Sequence, residues 1–281
     1  MTFQPSVPLG GVGGWRLLQK TEATQRAAFG NDVSLKRDLD HFRAKIANTK
    51  TAADLVADPK LLRVALGAFG LEGEASKLAL VRHALEDGTV RADSFAKRMV
   101  DPKWQRFVEA FGYGNDLATP NVSASGFADK ITSAYETRQF ETALGQSDES
   151  LRLALNFRRE IERFANGASP DGFTWFEAMG DTPVRAVLEG AFGLPRSFGT
   201  LDIDQQRDVL KEKTSAFLGS SSLEVFKQAD AVDQLVVRYL ARTSAANGPS
   251  ALTPGYAAIT LLSSSGFGAG AMQSLLLSNL R

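Results

Sequence analysis

The pentapeptide Gly-Ala-Phe-Gly-Leu occurs twice, at 67–71 and 190–194, and around it Thr51 to Leu71 lies without gaps over Thr174 to Leu194 at a constant offset of 123. The identities are Thr51/Thr174, Asp58/Asp181, Val64/Val187, Gly67/Gly190, Ala68/Ala191, Phe69/Phe192, Gly70/Gly193 and Leu71/Leu194. Each copy reads as one helix. The aspartate accepts from the first free N–H groups, phenylalanine fills the last turn on the core side, and the final glycine takes the left-handed position past the helix end. Leu71 and Leu194 then fold back as the apolar contact after the cap. Gly67 and Gly190 stand inside the helix, where glycine costs roughly 1 kcal/mol relative to alanine. That cost predicts a second helix crossing closely at each glycine, with no room for a bulky side chain.

The match continues in both directions with small changes of offset, as insertions in loops would produce. Upstream, Phe42-Arg43 and Ile46 fall over Phe157-Arg158 and Ile161, and Glu22 and Gln25 over Glu136 and Gln139, in helices beginning near Trp15 and Phe127. Downstream the weakest match sets Asp101, Trp104, Phe107 and Val108 over Asp233, Val236, Tyr239 and Leu240. The unit so defined is residues 15–112, repeated as 125–241. Asp101-Pro102 to Phe111-Gly112 carries the short signature alone and is read as a recurring helix-ending device, not a third unit.

Apolar residues recur at three-to-four spacing almost throughout, most cleanly at Leu35, Leu39, Phe42 and Ile46, and strand-like alternation is scarce. Asp58-Pro59, Asp101-Pro102 and Thr253-Pro254 place a capping side chain before proline at a helix start. Thr51 with Asp54, Thr174 with Glu177 and Asp202 with Gln205 have capping-box spacing. The chain is therefore expected to be all-α, one multi-helix globular protein over 1–281 with an internal tandem duplication and no significant β-sheet. Typical lengths of roughly 11 to 12 residues give about a dozen helices.

Composition excludes several chemistries. The 32 basic and 32 acidic residues cancel, which argues against binding nucleic acid or an anionic membrane. With no cysteine, disulfides, iron–sulfur ligation, thiolate zinc sites and a cysteine nucleophile are out. Met1 to Gly14 lacks the basic and long apolar regions of a Sec-type signal peptide, and no stretch reaches the ~20 continuous apolar residues of a membrane helix. No charged residue precedes Arg16 and none lies between Arg242 and Arg281. The uncharged segment 243–281 is expected to pack on the body or on a partner.

No residue is assigned a catalytic, cofactor-binding or metal-binding role. Gly10 to Gly14 and Gly266 to Gly270 match no phosphate-loop pattern and read as flexible joints around terminal helices. His41 and His83 stand in separate helices without a partner histidine, and Ser220 to Ser222 and Ser263 to Ser265 lack a nucleophile-elbow context. Asp58, Asp101 and Asp181 read as helix caps. Arg152, Arg158, Arg159 and Arg163 interleave with Glu160 and Glu162, a charge run expected on a solvated helix face.

The chain from Pro8-Leu9-Gly10 and Gly14-Trp15 to Leu252-Thr253-Pro254-Gly255-Tyr256 resembles the bacterial family called domain of unknown function 1217. The similarity is closest at Val64 to Leu71, Phe140-Glu141 and Leu151 to Arg159. Members of that family are often encoded among flagellar genes of α-proteobacteria, so the resemblance implies a setting without a mechanism. It leads us to expect a non-enzymatic helical protein that binds protein partners, flagellar components among them, in assembly or function. The expected location is cytoplasmic or flagellum-associated. The alternatives are a general helical adaptor unrelated to flagella and an enzyme with a dispersed polar site.

Overall fold

The computed structural model describes residues 3–99, 101–115, 120–167 and 173–247. The expectations for Thr253-Pro254, Ser263 to Ser265, Gly266 to Gly270 and most of the uncharged segment 243–281 lie outside the described residues. Within them the chain forms α1 (Gly11–Gly30), α2 (Val33–Lys45), α3 (Ala52–Ala57), α4 (Pro59–Phe69), α5 (Leu78–Asp87), α6 (Phe95–Arg98) and α7 (Lys103–Phe111). There follow α8 (Phe127–Gly145), α9 (Glu149–Asn166), α10 (Phe173–Gly180), α11 (Thr182–Phe192), α12 (Ile203–Leu218) and α13 (Ala229–Asn247). No strand occurs among the described residues, and the fold is all-α.

The two signature helices form as their sequence dictates. Asp58 accepts from the backbone of Lys60 and Leu61 at the start of α4, and Asp181 accepts from Val184 at the start of α11. Both helices end in a full Schellman motif. Leu71 N–H donates to Leu66 and Gly70 N–H to Gly67, while Leu194 donates to Glu189 and Gly193 to Gly190. The closing glycines are left-handed, with φ of 73° at Gly70 and 64° at Gly193. Gly112 ends α7 with φ of 70°, so the short signature at Asp101 to Gly112 is indeed used to end a helix.

The internal glycines report close crossings. A Cβ on Gly67 would stand 2.5 Å from Cε2 of Tyr135 on α8, and one on Gly190 would stand 2.8 Å from Cδ2 of Tyr239 on α13. Three residues further along those helices, Arg138 lies against Gly70 and Arg242 against Gly193. Thus α8 crosses α4 as α13 crosses α11. This geometry sets Tyr239 beside Tyr135, not beside Phe107 as the weakest sequence match suggested. Asp101 and Asp233 likewise differ: the first accepts from the Lys103 backbone, while the second binds side chains of α1.

Two apolar cores result. The first gathers α2 to α7 with Phe127, Ile131 and Tyr135 from the early turns of α8. The second gathers α9 to α13 with Phe140 and Leu144 from the later turns of α8, and with Trp15 and Leu18 of α1. Helix α8 is thus a strut shared by both bodies. Helix α1, although it precedes the first body, packs chiefly on α13 and α9.

Three local expectations are corrected. Gly11 to Gly14 form the first turn of α1 and are not a flexible joint; Gly14 packs against the Leu9 carbonyl and Gly11 against Ser244, so their small size serves close approach. Thr174 lies within α10, where its hydroxyl donates to the Gly167 carbonyl, and does not stand before the helix. Asp202 caps α12 by accepting from Asp204, whereas the Thr51–Asp54 capping box forms in full.

Candidate functional site

Two groupings of polar side chains stand out: a buried ionic node between the two bodies and an open cleft on the second. The node centres on Glu160 of α9, which is 4% exposed. Its carboxylate accepts from Arg106 of α7 at 2.9 Å, Arg138 of α8 at 2.6 Å and Arg163 at 3.3 Å, and it also pairs with Arg159. Arg159 turns its remaining donors to Glu141 of α8 in a two-pronged pair at 2.8 and 2.9 Å. Arg138 also donates through Nε to the Ala68 carbonyl, at the C-terminal end of α4, at 2.9 Å. The buried Asp181 carboxylate lies 3.7 Å from Arg106.

This overturns the expectation that Glu160 and its arginines form a solvated helix face. Glu160 itself is buried, with Arg138 of α8 and Arg106 of α7 reaching it, Arg158 and Arg159 are half-buried, and Glu162 and Arg163 stay exposed as expected. Burial alone would raise the Glu160 pKa, but the charges of Arg159, Arg138 and Arg106 outweigh it and hold the carboxyl well below the usual range. Asp181 goes the other way: burial first, then repulsion from Glu160, raises its pKa against the opposing pull of Lys103 and Arg106. Burial, with repulsion from Arg159, lowers the pKa of Arg138. The node therefore holds its charges by mutual compensation.

The cleft, of about 580 Å³, lies where α1, α9 and α13 meet. Trp15, Arg16 and Gln19 of α1 line one side, Arg158, Glu162 and Asn166 of α9 another, and Phe226, Asp230, Val232 and Asp233 the third. Asp233 fixes this geometry. Its carboxylate accepts from Trp15 Nε1 at 2.9 Å, Gln19 Nε2 at 2.8 Å and Arg16 Nη1 at 3.1 Å. These bonds outweigh the burial that would raise its pKa, and the net shift is downward. The guanidinium of Arg158 lies 5.3 Å from the Trp15 ring centroid and pairs with Glu22 at 2.6 Å. Arg16, Arg158 and Lys227 are all paired internally, with Asp233, Glu22 and Glu224. The lining is charged with both signs and includes the buried aromatic rings of Trp15 and Phe226.

The two histidines lie apart from both groupings and from each other. His41 Nε2 is 2.7 Å from Asp58 at the start of α4, and His83 meets the Phe95 ring at 5.2 Å. Ser222 caps a short 3-10 turn by accepting from Glu224. No group of three or more histidines and carboxylates close enough to hold a metal occurs among the described residues. Neither the node nor the cleft is legible as a site in sequence, because Arg106, Arg138 and Glu160 come from three helices and Trp15 and Asp233 from opposite ends of the chain.

The profile of the family described as protein of unknown function (DUF1217) matches residues 68–232. None of the curated proteins compared with the chain matches it. The X-ray structure of a protein from Agrobacterium tumefaciens, a structural genomics target, is similar with a TM-score of 0.69 at 19% identity, over 85% of this chain and 97% of that one. That likeness is one of fold.

Proposed function

Because this chain belongs to the DUF1217 family, whose profile spans more than half of it, we propose that it is a non-enzymatic helical protein that binds protein partners in flagellar assembly or function. The observation that carries the binding part is the cleft between α1, α9 and α13. Its aromatic floor and internally paired rim of both charges resemble the centre and edge of protein interfaces, where aromatic residues and arginine are enriched. The flagellar part rests on the gene setting of the family that the chain resembles. Deletion of the gene is expected to impair swimming or filament formation, and the tagged protein to co-purify with a flagellar component. Normal motility in the deletion strain together with no flagellar protein in the purified material would sink this reading.

The cleft also supports a second reading, an enzyme with dispersed polar residues, because several charged groups converge in it. Substituting Asp233 by asparagine separates the two: a binding protein loses a partner, whereas an enzyme loses turnover of a small molecule. A helical adaptor unrelated to flagella is distinguished by which proteins co-purify.

The proposal includes the tandem duplication. Its support is the shared Schellman ending, the paired Gly–Tyr crossings and the parallel placing of Arg138 and Arg242. These pairings set α2–α8 against α9–α13, bounds that differ from the 15–112 and 125–241 read in sequence, and an experimental structure in which neither pair of segments superposes would remove the duplication.

A further inference from the structure

Among the described residues, the substantial packing of α2 to α7 is with one another and with α8, and none of it is directly with α9 to α13. The two apolar cores are separate; Phe29 of α1 is the partly buried apolar residue that touches both. What spans the remaining gap is ionic. Arg106 reaches from α7 to Glu160 and Asp181, and Arg138 joins the Ala68 carbonyl of the first body to Glu160 of the second.

We infer that the molecule hinges about α8, with Arg106 as the latch that holds the two bodies closed. The physical case has three parts. First, each body completes its own core, so opening the joint exposes little apolar surface and the hydrophobic effect opposes it weakly. Second, the closed joint leaves hydrogen-bonding capacity unmet: Arg106 Nε and Nη2 and Asp181 Oδ2 are buried and make no hydrogen bond with any described residue. Opening hands these atoms to water, which offsets part of the loss of ion pairs. Third, the Arg106 side chain is 23% exposed although its Nε and Nη2 are buried, so the latch lies close to the rim of the joint. An ionic joint between two complete cores is a bistable element, which a ligand preferring one state shifts by its differential affinity.

The test uses the absence of native cysteine. Cysteines placed at Val90 in the first body and Glu212 in the second, both exposed, carry spin labels for distance measurement in the full chain. The parent should give one narrow distance distribution. Arg106→Met, which keeps the aliphatic stem and removes the charge, should add a longer-distance population, because the buried Asp181 loses a compensating cation. Adding Asp181→Asn to that variant should shrink the new population, since the uncompensated charge is then gone. A parental distribution in Arg106→Met, or an undiminished long population in the double variant, overturns the latch. If Arg106→Met does not fold, Arg106→Gln, which also removes the charge but keeps a polar end, is read by the same two outcomes.

Discussion

A glycine inside a helix is legible in sequence as an anomaly, and Gly67, which is buried, and Gly190, which is half-buried, show what the anomaly encodes. Each is the flat spot on which a tyrosine ring lies. Alanine at Gly67 gains about 1 kcal/mol in helix propensity, but its methyl meets Tyr135 at 2.5 Å, and Tyr135 is 4% exposed with little freedom to retreat. Overpacking of this kind costs ~1–3 kcal/mol. Gly67→Ala should therefore lower the urea midpoint, and Gly190→Ala, with its wider 2.8 Å approach, should lower it less. An unchanged or raised midpoint for Gly67→Ala would show that the crossing yields.

The two capping aspartates occupy the same place in the motif, yet their charges act oppositely on stability. Burial first, then Glu160, raises the Asp181 pKa above its ordinary value, so the ionised form is disfavoured in the folded state. Its charge thus subtracts stability at neutral pH, and the deficit disappears as pH falls through the raised folded pKa towards the unfolded one. For Asp58, burial pushes up, but His41 and the Leu61 and Lys60 amides outweigh it and lower the pKa. Its contribution is present above the unfolded pKa and is lost as pH falls through the lowered folded one. Asparagine caps a helix about as well as aspartate. Hence Asp181→Asn should match or exceed the parent in thermal stability at pH 7, while Asp58→Asn should fall below it by up to about 1 kcal/mol. Both differences should vanish in acid, and melting curves from pH 7 down to pH 3 check the signs.

At the scale of elements, what the sequence conveys depends on whether an element's partners are close in the chain. The caps, Schellman endings and amphipathic faces of α2, α4 and α11 are local, and the residues that form them could be read directly. Helix α9 could not be. Its Arg159, Glu160 and Arg163 have the spacing of a solvated ion-pair face, and nothing in their neighbourhood announces Arg106 and Arg138, which arrive from 54 and 22 positions away. Helix α8 was equally opaque in its role, since serving two cores in succession blurs a single apolar stripe: Phe127, Ile131 and Tyr135 face one body, Phe140 and Leu144 the other. That division makes its middle a mechanical joint. Proline at Thr137, between Tyr135 and Phe140, removes a helical hydrogen bond and costs ~3 kcal/mol or more. If α8 is what couples the bodies, Thr137→Pro should split a single unfolding transition into two, each retaining one core. One unsplit transition at a lower midpoint would mean that coupling runs mainly through other contacts.

Across the whole molecule the chain's order in space differs from its order in sequence, and α1 shows this most clearly. It enters before the first body and is docked on the second, its Trp15 bound to Asp233 across 218 positions. The repeat register, read along the chain, attached Trp15 to the first unit, because sequence comparison assigns a helix to its neighbours and packing need not. Removing residues 1–30 tests the difference. The truncation strips Val7, Trp15 and Leu18, each no more than 5% exposed, from the second core. At ~1.5–3 kcal/mol for each large apolar side chain, the loss is comparable with the 5–15 kcal/mol total stability of an ordinary domain. Hydrogen exchange should therefore accelerate in α9 and α13, the helices remote in sequence from the cut, while α4 and α5 keep their protection. The reverse pattern, with exchange confined to α2 to α5, would show that α1 belongs to the body it precedes and that the cleft it helps to line is not an intrinsic part of the second.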